Sequence, residues 1–199
     1  MKFTSISRKG GRENNTDSVG KASAGGIYCF VVADGLDEPN DNNVVSSTAV
    51  DAVLDAFGAN PVISSEAIYS YMLCAQNAVM ERRSRSSSFS PTATTLVVLV
   101  TDGKEAVWGH IGNSRLYRFE KSIIQEITDD HSVAFAAFIG GKCMYNDIRT
   151  SPDKSRLLRA LGTENNFTPQ ISEKFLCSKK TAFLLCTDGF WEYVHEDIM

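Results

Sequence analysis

No apolar run in this 199-residue chain approaches the ~20 residues that a bilayer-spanning helix requires; the longest purely aliphatic stretch is Leu96–Val100. The opening MKFTSISRKGG also lacks the apolar core of a secretory signal, so the expected location is the cytoplasm, with no membrane partner. Basic excess is missing as well. With 20 Lys and Arg against 24 Asp and Glu the formal charge is -4, which excludes the usual nucleic-acid-binding face. The one basic cluster, Arg82, Arg83 and Arg85, reads as a solvated helix end. The 5 cysteines are odd in number and show no C-x-x-C spacing, so neither a disulfide framework nor a zinc site is expected. Cys29 and Cys186 sit inside apolar runs, where a thiol acts as a small hydrophobe.

What is present is ordinary for a globular protein: 43% hydrophobic and 22% charged residues, enough for one full core. A single domain over 1–199 is expected. Residues 27–33 (IYCFVVA) read as a buried strand entering a turn at Asp34-Gly35. Residues 46–58 and 64–83 carry apolar side chains at helical spacing, with serines at each start. The period then changes. Strands are expected at 94–101 and 106–111, joined by the hairpin signal Asp102-Gly103, then at 115–119, 123–127, 174–176 and 181–186. Residues 133–141 and 154–161 are weaker helical candidates. Two consecutive helices amid strands point to an α+β layered fold, not strict strand–helix alternation.

Two apolar strands end alike, in Val32-Ala33-Asp34-Gly35 and Cys186-Thr187-Asp188-Gly189. Asp-Gly is a common turn dipeptide. A carboxylate fixed by a buried strand and followed by glycine is also well made to face a hard cation. Before the first apolar strand, Arg12 and Asp17 bring a phosphate-binding guanidinium and a carboxylate close together.

Taken in order, GGRENNTDS, VVADGL, TATTLVVLV, GHIGNSRLYRF, ITDDHSV, SRLLRALG and FLLCTDGFWEYV resemble the bacterial branch of the protein phosphatase 2C family over essentially the whole chain. The resemblance implies a sandwich of two antiparallel β-sheets flanked by α-helices, with the family's C-terminal strand and helix missing here. It implies hydrolysis of phosphoserine and phosphothreonine by water activated between two divalent cations, Mn2+ or Mg2+. Asp34, the Gly35 carbonyl and Asp188 would then be metal ligands; Arg12 would hold the substrate phosphate and Asp17 would act beside it. The implied partner is a phosphorylated protein made by an opposing Ser/Thr kinase.

The chain departs from the family pattern at Thr16, where a glutamate is usual, and at Asn113, where an aspartate contributes a third cation site. The stretch 36–43 is acidic where the family is glycine-rich, and no counterpart of the final Asp-Asn pair is present; Asp197 comes too soon after Asp188. A pseudophosphatase that binds phosphoproteins without hydrolysis is the alternative, and dimerisation through an uncovered sheet edge is a further expectation. His110 reads as a packed ring, His131 as a structural residue, and Trp191 as packing at a helix start. Ser114 beside Arg115 suggests a nucleophile, yet no base lies at a recognisable spacing.

Overall fold

The computed structural model describes residues 1–36, 44–85, 93–164 and 167–199. In chain order its elements are β1 (Asp17–Ala24), β2 (Ile27–Leu36), α1 (Val44–Ala59), α2 (Ser65–Arg85), β3 (Ala93–Thr94), β4 (Leu96–Thr101), β5 (Glu105–Ile111), β6 (Arg115–Glu120), β7 (Ile123–Ile127), α3 (Val133–Ile139), β8 (Gln170–Ile171), β9 (Phe175–Leu176), β10 (Thr181–Cys186) and α4 (Asp188–Trp191). The strands form two antiparallel sheets. The larger runs β1-β2-β4-β5-β8, with β3 on β2 and β9 on β5; the smaller runs β10-β6-β7. No described helix is long and apolar enough to cross a membrane.

Strand alternation divides the core into layers. Cys29, Val31, Val98, Val100 and Val107 turn to one face of the large sheet, where α1 and α2 cover them through Val50, Val53, Phe57, Ile68 and Met72. Val97, Leu99, Trp108 and Phe30 turn the other way and meet Leu116, Phe183 and Leu185 of the small sheet. Beyond it, Tyr117 and Phe119 pack against Ala134, Ile148 and Trp191. The order helices, sheet, sheet, helices is that of the expected α+β sandwich.

The helices lie unusually close to the large sheet. A Cβ on Gly109 of β5 would stand 2.5 Å from Ile68 Cγ2 and 2.8 Å from Met72 Sδ of α2. Gly109→Ala should therefore cost about 1–3 kcal/mol by overpacking, read as a lower urea midpoint at unchanged slope.

Three local departures from expectation stand out. Residues 11–18, given no strand above, enter β1 at Asp17, and β1 pairs with β2 along its whole length from Asp17↔Asp34 to Ala24↔Ile27. The two-residue link is Gly25-Gly26, with φ of 60° and 85°, the left-handed geometry that suits the twist of a hairpin. Asp34-Gly35 is not a turn, since β2 continues through it to Leu36 and pairs with β3. Residues 154–161 form no helix: Thr94 and Leu161 exchange backbone bonds, and Leu158 N–H donates to the His131 carbonyl, so long-range bonds use the groups a helix needs. The acidic stretch 37–43 lies outside the described residues.

Candidate metal centre

The paired register of β1 and β2 puts Asp17 directly across from Asp34, so both carboxylates project from one face at the end of the large sheet. Asp34 shares its parity with Phe30, which packs toward the small sheet. From that sheet, β10 ends at Cys186 and the chain turns at Thr187 into α4, bringing Asp188 to the same place. Asp34 consequently lies within side-chain interaction range of both Asp17 and Asp188. Burial, then the charges of Asp188 and Asp17, push the Asp34 carboxyl up to about 9. Asp17 is also raised, by burial first, against the hydrogen bond from Thr187 and the charge of Arg12. Arg12 itself is exposed on the loop before β1.

Polar neighbours orient these groups. Thr187 Oγ1 donates to Asp17 Oδ2 at 2.9 Å, tying the two sheets together. Asn113 Nδ2 lies 3.4 Å from Asp188 Oδ2, and the Asn113 carbonyl accepts the Trp191 indole N–H at 2.8 Å. Where a carboxylate would repel Asp188, the amide donates to it. The Thr16 carbonyl accepts both Gly35 N–H at 3.2 Å and Ser46 Oγ at 2.5 Å, holding the segment before β1 against β2 and α1. Asp197 lies in a separate 3-10 turn, Glu196–Ile198.

Three converging carboxylates repel one another unless they are protonated or share a cation. An all-carboxylate donor set suits hard cations such as Mg2+ or Mn2+. Among the described residues no group of three or more His, Cys, Asp or Glu is arranged to hold a metal ion by itself. That is compatible with a cation that keeps several waters and needs only one or two carboxylates, so the residues present fit such an ion.

Ser114 is fully buried with its hydroxyl 2.6 Å from Thr95 Oγ1, which removes it as a nucleophile. The His110 and His131 rings stack 4.5 Å apart at 13°. His110 Nε2–H donates to Gln170 Oε1 at 2.8 Å, and His131 Nδ1 accepts Gly112 N–H at 3.2 Å. Burial lowers His110 to about 4; burial, then the charge of His110, lowers His131 to about 3. Both bind protons more readily unfolded, near 6.5, so folding stability is full above that pH and is lost as pH falls toward 4. The loss approaches about 1.4 kcal/mol per pH unit for each ring that stays neutral. Urea midpoints between pH 7 and pH 4 should show this slope, and His131→Asn should flatten it.

A sandwich of antiparallel sheets carrying a carboxylate centre suited to hard cations defines the class of protein. A family model described as Protein phosphatase 2C matches residues 7–198, and the chain belongs to that family. It is 27% identical over 179 residues to the serine/threonine phosphatase stp of Listeria monocytogenes serotype 4b (strain F2365), covering 85% of this chain and 69% of that protein. The crystal structure of the serine/threonine phosphatase Stp1 from Staphylococcus aureus superposes with a TM-score of 0.83 at 21% identity, covering 96% of this chain and 78% of that one. The catalytic domain of the serine threonine protein phosphatase PstP, solved with 2 manganese ions, superposes with a TM-score of 0.77 at 22% identity over 94% of this chain and 76% of that one. These two structural likenesses carry the fold.

Proposed function

We propose that this chain is a single domain that hydrolyses phosphoserine and phosphothreonine in proteins with the help of divalent cations. The convergence of Asp17, Asp34 and Asp188 from two sheets is the observation that carries the reading. Family membership and the stp relative support the reaction, and the two manganese ions of PstP support the cofactor class. Asp34, the Gly35 carbonyl and Asp188 would hold the cations. When bound, these ions supply positive charge that acidifies water and offsets charge on the transferring phosphoryl group.

The remaining work falls to the chain. Arg12, beside Asp17, presents a planar donor fork to the substrate phosphate. Asp17, fixed by Thr187, is placed to accept a proton from the attacking water. The walls of the two sheets exclude bulk water from beneath the carboxylates and hold their spacing. A Ser/Thr kinase is the chemical source of such a substrate. The location proposed is the cytoplasm, and the β10 edge of the small sheet is the place where a second copy would pair, which sedimentation would report.

The test uses chelator-treated protein, para-nitrophenyl phosphate, and peptides carrying phosphoserine, phosphothreonine or phosphotyrosine. Turnover should appear only on adding Mn2+ or Mg2+, and the phosphotyrosine peptide should be spared. Phosphopeptide binding without turnover in saturating Mn2+ would replace the enzyme with a phosphoprotein-binding scaffold.

A further inference from the structure

Val32 pairs with Val97 and Gly35 with Thr94, so the register sets Thr95 opposite Asp34. Facing residues in an antiparallel ladder exchange two backbone bonds at their hydrogen-bonded positions. Here one is made: Thr95 N–H donates to the Asp34 carbonyl at 2.9 Å. The other is diverted. Asp34 N–H donates at 2.9 Å to the Thr95 hydroxyl, while the Thr95 carbonyl accepts Thr94 Oγ1 at 3.0 Å. Thr94 Oγ1 also donates to the Asp34 carbonyl at 2.8 Å.

The hydroxyls continue inward, with Thr95 Oγ1 joined at 2.6 Å to Ser114 Oγ, and Thr94, Thr95 and Ser114 are all fully buried. Gly112 makes the approach possible. At φ +102° it turns the chain between β5 and β6, and a Cβ there would stand 2.6 Å from Thr95 Cγ2. The break between β3 and β4 thus falls at the rung facing the central carboxylate, and on that rung a side chain has taken the place of a carbonyl.

We propose that Thr95 and Ser114, with Thr94, are positioning residues for Asp34: their hydroxyls replace one rung of the ladder and set the pitch at which its carboxylate meets the cations. The inference rests on the reading of Asp34 as a cation ligand. A carbonyl acceptor would hold Asp34 in the regular pleat, whereas a hydroxyl reaching from Cβ, itself anchored on Ser114, fixes the backbone elsewhere.

The test is made on the full chain with Thr95→Val, which keeps the shape and loses the hydroxyl, with Thr95→Ser as the rescue, and with Ser114→Ala. Calorimetric titration with Mn2+ alone should show at least about 10-fold weaker binding in Thr95→Val, about twofold or less in Thr95→Ser, and an intermediate loss in Ser114→Ala. With para-nitrophenyl phosphate in saturating Mn2+, kcat should fall in Thr95→Val while KM stays. Folded Thr95→Val and Ser114→Ala with wild-type affinity and kcat would overturn the proposal. If Thr95→Val does not fold, wild-type behaviour of Ser114→Ala overturns it and a loss supports it.

A wild-type chain that binds no Mn2+ would sink the metal reading separately. The clamp is then judged by the Asp34 amide resonance in a 1H–15N spectrum. Displacement in Thr95→Val with return in Thr95→Ser supports the clamp, and an unmoved resonance overturns it.

Discussion

Asp34→Asn should lower cation-dependent turnover of para-nitrophenyl phosphate by about 100-fold or more, while the cation-free protein melts at or above the wild-type temperature. The loss follows from position, because Asp34 feels the charge of both Asp17 and Asp188. An amide offers one oxygen and no charge to a hard cation, and removing a single preorganised electrostatic contact at a reacting centre commonly costs 100-fold or more. The gain in stability has the opposite origin. Burial and two like charges push Asp34 up to about 9, so an ionised carboxylate there opposes folding when no cation is present. Asparagine keeps the volume and removes that opposition. Steady-state kinetics in Mn2+ and thermal melts in chelator check the two halves independently; wild-type turnover would remove Asp34 from the centre, and a large drop in melting temperature would show its role to be structural.

Arg115→Met should be the most destabilising single change in the small sheet, costing about 3–5 kcal/mol. Arg115 and Asp130 are each 1% exposed in their side chains, joined through Nε–Oδ1 and Nη2–Oδ2 contacts of 2.7 Å. The guanidinium also lies 3.7 Å over the Trp191 ring, whose N–H holds the Asn113 carbonyl. Burial still pushes Asp130 upward against this pairing, a sign that its desolvation is costly and that it cannot stand alone. Met fills the space and leaves Asp130 buried without its partner. On a domain of this size the melting temperature should fall by about 6–20 °C. The double variant Arg115→Met with Asp130→Leu should recover most of the loss, since the cost comes from the unpaired charge more than from the missing bond. A single-variant cost below about 1 kcal/mol would refute this account.

Elements whose apolar period matches their own geometry are legible in the sequence. The two long helices, the Asp102-Gly103 hairpin, and the strands at 123–127 and 181–186 lie where spacing puts them. β1 was hidden because DSVGKASA holds one branched apolar residue; β2 and the Gly25-Gly26 link make it a strand, and that glycine pair was the available signal. The segment 154–161 failed in the opposite way. Its helical spacing is real, but Leu157 and Leu161 form bridges with Ser132 and Thr94. For the centre, Asp34 and Asp188 announced themselves as strand-end carboxylates and Arg12 with Asp17 as a close charged pair, and the family resemblance joined the four into one site. Thr95, Ser114 and Thr187 could not be read this way. A hydroxyl that serves another residue's backbone or carboxylate leaves no periodic trace, and its meaning depends on a partner as many as 170 positions distant.

The carboxylates of the centre do not share one hydrogen-bonded sheet. Asp17 and Asp34 belong to the large sheet and Asp188 follows the last strand of the small one, and between the layers lie side-chain contacts and a few polar ties such as Thr187 to Asp17. An ion held by both sides, as proposed, would act as a rivet across the sandwich. Each tenfold rise in free cation above its dissociation constant should add about 1.4 kcal/mol to unfolding. The protein's resistance to heat would then gauge the surrounding metal supply, and depletion would loosen the sandwich at the proposed centre.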